Sequence, residues 1–292
     1  MGGCFLCPRE CGADRENGEV GFCGEGSLPR VARYSLHEWE EPIISGKRGS
    51  GTVFFSGCNL RCEFCQNRAI SHGGKGEQIG IDRLCDIIRE LCDMGAENIN
   101  LVTPTHFADT VAAALNKVKG DLNIPVVYNS SGYEKVETLK KFEGLIDVYL
   151  PDFKYFSDSI AKKYSHTENY RETAEAAILE MFRQVGEPTY DSRGMLCRGL
   201  IVRHLVLPSC RQDSMNVLSR IAEILPKDKI LVSIMSQYTP DFAIAAGCEH
   251  KELCRRLTSF EYSSVLDHAS ALGLIGFSQS RSSAVAKYTP DF

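Results

Sequence analysis

The sequence predicts an α/β fold, and three observations carry that prediction. From residue 49 onward, β-branched or aromatic runs recur at about 52–56, 98–103, 125–129, 146–150, 200–207 and 230–235. Between them lie segments whose apolar residues repeat at helical spacing. Residues 1–48 lack this alternation and are instead rich in Cys, Gly and charged residues. The expected organisation is therefore a small metal-binding lobe over 1–48 and a βα body over 49–292. Parallel strands joined by helices cross over with one hand, so the sheet either winds open or closes into a barrel with its chemistry at the strand C-terminal ends.

Taken in order, the first strand at 52–56 is followed by a cysteine-bearing loop and by a glycine-rich stretch, 73–80, that reads as a mobile loop. Leu84, Ile87, Ile88, Leu91 and Cys92 then recur at i, i+3, i+4, i+7 and i+8, which marks one buried helix face. Cys85 and Cys92 in this segment are core or helix-surface thiols by the simplest reading. Later helices are expected at 108–118, 134–142, 172–185, 213–225 and 262–272. The pentapeptide Tyr-Thr-Pro-Asp-Phe occurs at 238–242 and again at 288–292, either as two similar turns or as a tail docking near the mouth of the fold.

Composition narrows the function classes. The 292 residues are 43% hydrophobic and 24% charged, as in an ordinary globular protein. The net charge of −5 and the absence of a long Lys/Arg run argue against nucleic acid or anionic lipid as a partner. No run approaches the ~18 apolar residues of a membrane helix, and Arg203 and His204 interrupt the most apolar segment. No apolar stretch of signal-peptide length opens the chain, and Leu6 occupies the position where a myristoylation motif requires Ser or Thr. A soluble, cytoplasmic protein is expected.

Thirteen cysteines, an odd number, exclude complete internal disulfide pairing. Seven lie in two tight groups: Cys4, Cys7, Cys11 and Cys23, then Cys58, Cys62 and Cys65. In a reducing compartment such spacing points to metal or iron–sulfur ligation. The run Ser56-Gly-Cys58-Asn-Leu-Arg-Cys62-Glu-Phe64-Cys65-Gln-Asn67 directly follows a strand. Its three thiolates could hold three irons of a 4Fe-4S cluster, for which four thiolates are usual. One iron would stay open, as in catalytic metal sites. A zinc loop completed by a distant histidine, or free thiols, are the alternatives.

At these residues the sequence resembles the radical S-adenosylmethionine (radical SAM) superfamily, whose mark is this three-cysteine spacing with an aromatic residue, here Phe64, before the last cysteine. Within it, the chain is most similar to the pyruvate formate-lyase activating enzyme group with a cysteine-rich N-terminus, from Cys4 to the last strand. The resemblance implies a partial (βα)6 TIM-like barrel, a 4Fe-4S cluster on Cys58, Cys62 and Cys65, and SAM on its fourth iron. It further implies reductive cleavage to a 5′-deoxyadenosyl radical that abstracts hydrogen from a protein substrate, a glycyl-radical enzyme, with a flavodoxin or ferredoxin-type electron donor. Asp152 and Lys154 resemble the Asp-x-Lys of the activases' fourth strand, beside the SAM carboxylate and a monovalent cation. Arg203, one residue from His204 and so on the opposite strand face, resembles their cofactor-facing Arg.

Three places depart from the activase pattern. Thr103-Pro-Thr-His106 replaces the Gly-Gly-Glu that binds the SAM amine, Asn129-Ser130-Ser131-Gly132 replaces Asp-Thr-Asn-Gly, and Ser236-Gln237-Tyr238 lacks a histidine. His106 reads as a capping or core histidine first and a functional one second. Cys4, Cys7, Cys11 and Cys23 suffice for a closed second site, either zinc or another 4Fe-4S cluster. Radical modification of another peptide or a small molecule, and a non-catalytic metal-binding or electron-carrying module, are the competing functions.

Overall fold

The computed structural model describes residues 3–279; the second Tyr-Thr-Pro-Asp-Phe, at 288–292, lies outside them. Its strands are β1 (Arg30–His37), β2 (Ser50–Phe55), β3 (Glu77–Gln78), β4 (Ile99–Val102), β5 (Val126–Ser130), β6 (Val148–Pro151), β7 (Thr189–Tyr190), β8 (Leu196–Leu205), β9 (Leu231–Met235) and β10 (Gly276–Ser278). They form one sheet in the order β10-β9-β8-β6-β5-β4-β2-β1-β3, with β7 paired to β8. From β2 to β10 every neighbour along this order is parallel, while β1 and β3 are antiparallel additions. This is an α/β fold with a mostly parallel central sheet, as in a partial TIM-like barrel.

The crossovers are the helices read from periodicity: α1 (Ile81–Asp93), α2 (Ala108–Val118), α4 (Tyr170–Val185), α5 (Arg211–Ile224) and α6 (Ser259–Leu272), with α3 (Asp158–Ser165) added between β6 and α4. The stretch 134–142, expected as one helix, holds only the turn Val136–Leu139 and a 3-10 turn. Leu84, Ile87, Ile88 and Leu91 of α1 are buried, as are Val217, Leu218 and Ile221 of α5. The segment 73–80 is tied down, contrary to its reading as mobile. Glu77 and Gln78 pair with β1, the Gly74 amide donates to Glu25 Oε1, and Ser56 Oγ donates to the Lys75 carbonyl.

Alternation along the strands separates two faces. Val126, Tyr128, Tyr149, Leu200 and Val202 join the helices in the larger core. Val127, Val148, Leu150, Leu196, Ile201 and Leu231 face the other way and enclose Ile44. Ile44 belongs to the helical turn Pro42–Ser45, which plugs the inner face from below. Burying that one side chain contributes about 1.5–3 kcal/mol, and Asn98 Nδ2 fixes the turn by donating to the Ile44 carbonyl at 2.8 Å. Residues 30–48 are thus joined to the body through β1 beside β2 and through this plug.

Candidate functional site

Above the plug, the inner face opens into a cavity of about 480 Å³. Cys58, Cys62, Phe64 and Cys65 line it from the loop after β2, and Asn129, Ser130, Asp152, Lys154 and Arg203 line it from the ends of β5, β6 and β8. Strand geometry delivers this set. Arg203 and Ser233 are register partners across β8 and β9, and a bridge continues β6 so that Asp152 lies beside Arg203. His204 points away and is buried, with Nδ1 2.7 Å from the Phe153 carbonyl.

The cysteine loop is held from several sides. Gly57 has φ +83°, and a Cβ there would lie 2.7 Å from Glu25 Cγ and 2.8 Å from the Cys23 carbonyl oxygen, so only glycine fits. The Cys58 amide donates to that same carbonyl at 3.4 Å. Ser165 Oγ, at the end of α3, donates to Cys62 Sγ at 2.9 Å, and the Leu60 amide donates to Cys58 Sγ at 3.4 Å. Burial pushes the Cys62 thiol up to about 12 and raises that of Cys65. Such thiols sit poorly as free anions and suit a site where iron supplies the positive charge. No group of three His, Cys, Asp or Glu among the described residues is spaced to hold a metal ion. The three thiols share one cavity instead, and a 4Fe-4S cluster distributes its thiolates over separate irons.

Across the cavity runs a chain of charges. Lys154 Nζ donates to Asp152 Oδ2 at 2.5 Å, and Arg203 Nε donates to Asp152 Oδ1 at 3.1 Å. Arg203 Nη1 lies 3.2 Å from Glu40 Oε2, and Nη2 donates to Asn129 Oδ1 at 2.6 Å. Burial alone would raise the Asp152 carboxyl, but Lys154 and Arg203 more than reverse it and hold it below the usual carboxylate range. The reciprocal attraction of Asp152 outweighs burial at Lys154 and keeps that ammonium charged.

Glu40, a member of this chain, and its neighbour Glu41, which lines the cavity, are what sequence reasoning missed. They follow β1 inside the expected lobe, in the run Glu38-Trp-Glu-Glu-Pro. Only the plug beneath them turns that segment inward. The acidic pair placed directly before the apolar Pro42-Ile43-Ile44 was the available signal.

Cys4, Cys7, Cys11 and Cys23 stand apart from this cavity but near one another. A Cβ added at Gly21 would lie 3.3 Å from both Cys11 Sγ and Cys23 Sγ, and the free thiols of Cys4 and Cys11 are hydrogen-bonded to each other. Burial holds Cys7 up at about 12, and the neighbouring Cys23 and Cys4 add to it. The lobe is clamped to the three-cysteine loop by Arg9, which donates from Nε to the Asn59 carbonyl at 2.7 Å, and to the end of α3, where Nη2 donates to the Ser165 carbonyl at 3.1 Å. Its guanidinium lies 4.0 Å over the Phe22 ring. His106 is buried away from the cavity, with Nε2 2.6 Å from the Ser56 carbonyl and its pKa lowered to about 4 by burial.

Comparisons with known proteins bear on the fold and on the family. The chain is 29% identical over 93% of its length to an uncharacterized protein of Methanocaldococcus jannaschii, 75% of which is covered. Its fold is similar to that of SuiB from Streptococcus suis, solved with the precursor peptide SuiA, at a TM-score of 0.53 and 11% identity. That match covers 76% of this chain and 46% of SuiB, so the chain spans less than half of that protein. A variant of spore photoproduct lyase gives a TM-score of 0.53 at 6% identity, over 81% of this chain and 78% of that one. No helix among the described residues is long and apolar enough to cross a membrane. A model of the radical SAM superfamily matches residues 52–191, which hold the three-cysteine loop and the Asp152–Lys154 pair, and a match to that family implies a 4Fe-4S cluster and SAM as cofactors.

Proposed function

We propose that this radical SAM enzyme abstracts hydrogen from a peptide or protein, in the manner of a glycyl-radical activating enzyme. The observation that carries the reading is the convergence of Cys58, Cys62, Cys65, Asp152, Lys154 and Arg203 on one cavity. Cys58, Cys62 and Cys65 hold the cluster, with Phe64 packing beside them at 6.1 Å from the Tyr238 ring. Lys154 pairs with the SAM carboxylate, and Ser130 and Asn129 lie within reach of its polar groups. Asp152 keeps both cations oriented, which a salt-bridged carboxylate does at little cost because neither partner is left unpaired. When bound and reduced, the cofactor pair supplies a 5′-deoxyadenosyl radical. The chain's own task is to orient SAM and exclude water.

A peptide substrate is supported by the fold shared with SuiB, which was solved with its precursor peptide. The glycyl-radical form rests on the likeness of Leu150-Pro-Asp152-Phe-Lys154 and Arg203 to the activases. A flavodoxin or ferredoxin-type donor would supply the electron. The N-terminal cysteines hold a second metal, zinc or iron–sulfur, that rigidifies the lobe against Asn59 and Ser165. The test is reductive SAM cleavage: alanine at any one of Cys58, Cys62 or Cys65 abolishes 5′-deoxyadenosine formation under dithionite. Unchanged production in such a variant refutes the assignment.

A further inference from the structure

The floor of the cavity holds one carboxylate more than its cations require. Asp152 and Glu40 are matched by Lys154 and Arg203. Glu41, 9% exposed and lining the same cavity, forms no ion pair among the described residues. The Ser233 hydroxyl reaches its carboxylate, yet Glu41 Oε2 has no hydrogen-bond partner. A second acceptor nearby is in the same state: fully buried Asn100 donates from Nδ2 to Glu40 Oε1 at 2.9 Å, while its own Oδ1 is unpartnered. Both orphans accept and neither donates. Buried acceptors left unmatched are costly, and Glu41, the one of the two that lines the cavity, calls for a group that brings N–H donors and a positive charge.

We infer that Glu41, supported by Glu40 and Asn100, anchors a cationic amino group of the substrate. This rests on the radical SAM reading and adds the substrate's chemical class: a peptide presenting a primary ammonium, from a lysyl side chain or an N-terminus, with an apolar stem. The cavity offers such a stem apolar wall, since Trp39, Phe54, Met235 and Phe277 also line it. The ammonium of SAM is the other conceivable occupant. Ser233, the partner of Glu41, lies two residues inside the end of β9, below the rim that carries the cysteine loop. An amine that chelates the cluster therefore stays above this floor. Burial holds the Glu41 carboxyl up against the pull of Arg203, so an arriving cation would favour its charged form.

Trp39, the only tryptophan of the chain, stands in the cavity wall and reports occupancy. Pentylamine, a lysyl side-chain mimic, should change its fluorescence saturably in the reconstituted holoprotein, and pentanol at equal concentration should not. Glu41→Gln should weaken pentylamine at least tenfold while SAM affinity stays within threefold. If thermal melting shows that the amide variant does not fold, Glu41→Asp withdraws the charge by one methylene, and an at least threefold loss is expected there. Pentanol acting like pentylamine, or a variant that loses SAM rather than pentylamine, overturns the inference. Amine binding without any SAM cleavage by the parent protein overturns the radical reading alone, and SAM cleavage without amine binding overturns this site alone.

Discussion

Replacing Lys154 by Met removes one ammonium and keeps much of its apolar stem. In the structure Nζ directs a hydrogen bond to Asp152 Oδ2 at 2.5 Å, which engages one of its three donors and leaves two for a ligand. Arg203 is a poor substitute, because it is held in place by three bonds, from Nε to Asp152, Nη1 to Glu40 and Nη2 to Asn129, which leave two of its five N–H donors. Without Lys154, two carboxylates face one cation where the SAM carboxylate is proposed to bind. A hydrogen bond to a charged group is worth about 1.5–3 kcal/mol, so SAM should bind roughly 10- to 100-fold more weakly, and the added repulsion favours the upper end. Asp152 retains Arg203, which keeps the structural cost below the about 3–5 kcal/mol of a fully orphaned buried charge. The Lys154 pKa is raised above its ordinary value, so its contribution is present below that value and lost only in strong alkali. The loss should therefore be equal at pH 6.5 and 8.5. Equilibrium SAM titration of parent and variant, matched for iron and sulfide, measures it. Affinity within twofold, with the cluster intact, would refute a role for Lys154 in holding SAM.

Three further expectations concern the lobe and the stability of the barrel. Elemental analysis of anaerobically prepared protein lacking Cys58, Cys62 and Cys65 should still find zinc or iron, held by Cys4, Cys7, Cys11 and Cys23; protein with neither metal removes the second site. Chelating that metal should loosen residues 3–29, since binding energy at a structural site is folding energy, and proteolysis confined to this stretch is the readout. His204 is buried with its pKa lowered to about 4 by burial, so its contribution to stability is complete above about pH 6.5 and is lost as pH falls toward 4. Between pH 7 and 5 the parent should lose about 2 kcal/mol more than His204→Leu. Urea melts at the two pH values decide it, and parallel losses remove His204 as the cause.

The six parallel strands β2, β4, β5, β6, β8 and β9 were legible because each is a short buried run bounded by turn residues. The edge strands were not. β1 mixes Arg30, Arg33 and His37 with apolar residues and is only half-buried, while β3, β7 and β10 have two or three residues each, too few for a period. The cysteine loop was visible since its ligands are close in sequence. Asp152, Lys154 and Arg203 were visible only through likeness to relatives. Glu40 and Glu41 were hidden because only the short apolar Pro42-Ile43-Ile44 after them distinguishes an acidic turn in water from one folded inward by a plug. The same holds for Ser165, whose hydroxyl bonds Cys62 across more than a hundred residues of chain.

That span has a consequence for biogenesis. Arg9 is made well before its partners, since the carbonyls it clamps, those of Ser165 and His166, leave the ribosome 156 and 157 residues later. A chain emerging N-terminus first holds Cys4, Cys7, Cys11 and Cys23 unclamped until the fourth βα unit has been synthesised. The loop of Cys58, Cys62 and Cys65 likewise acquires its full set of restraints only after α3 has folded. A metal proposed for the lobe would thus find its thiols accessible before the barrel closes on them.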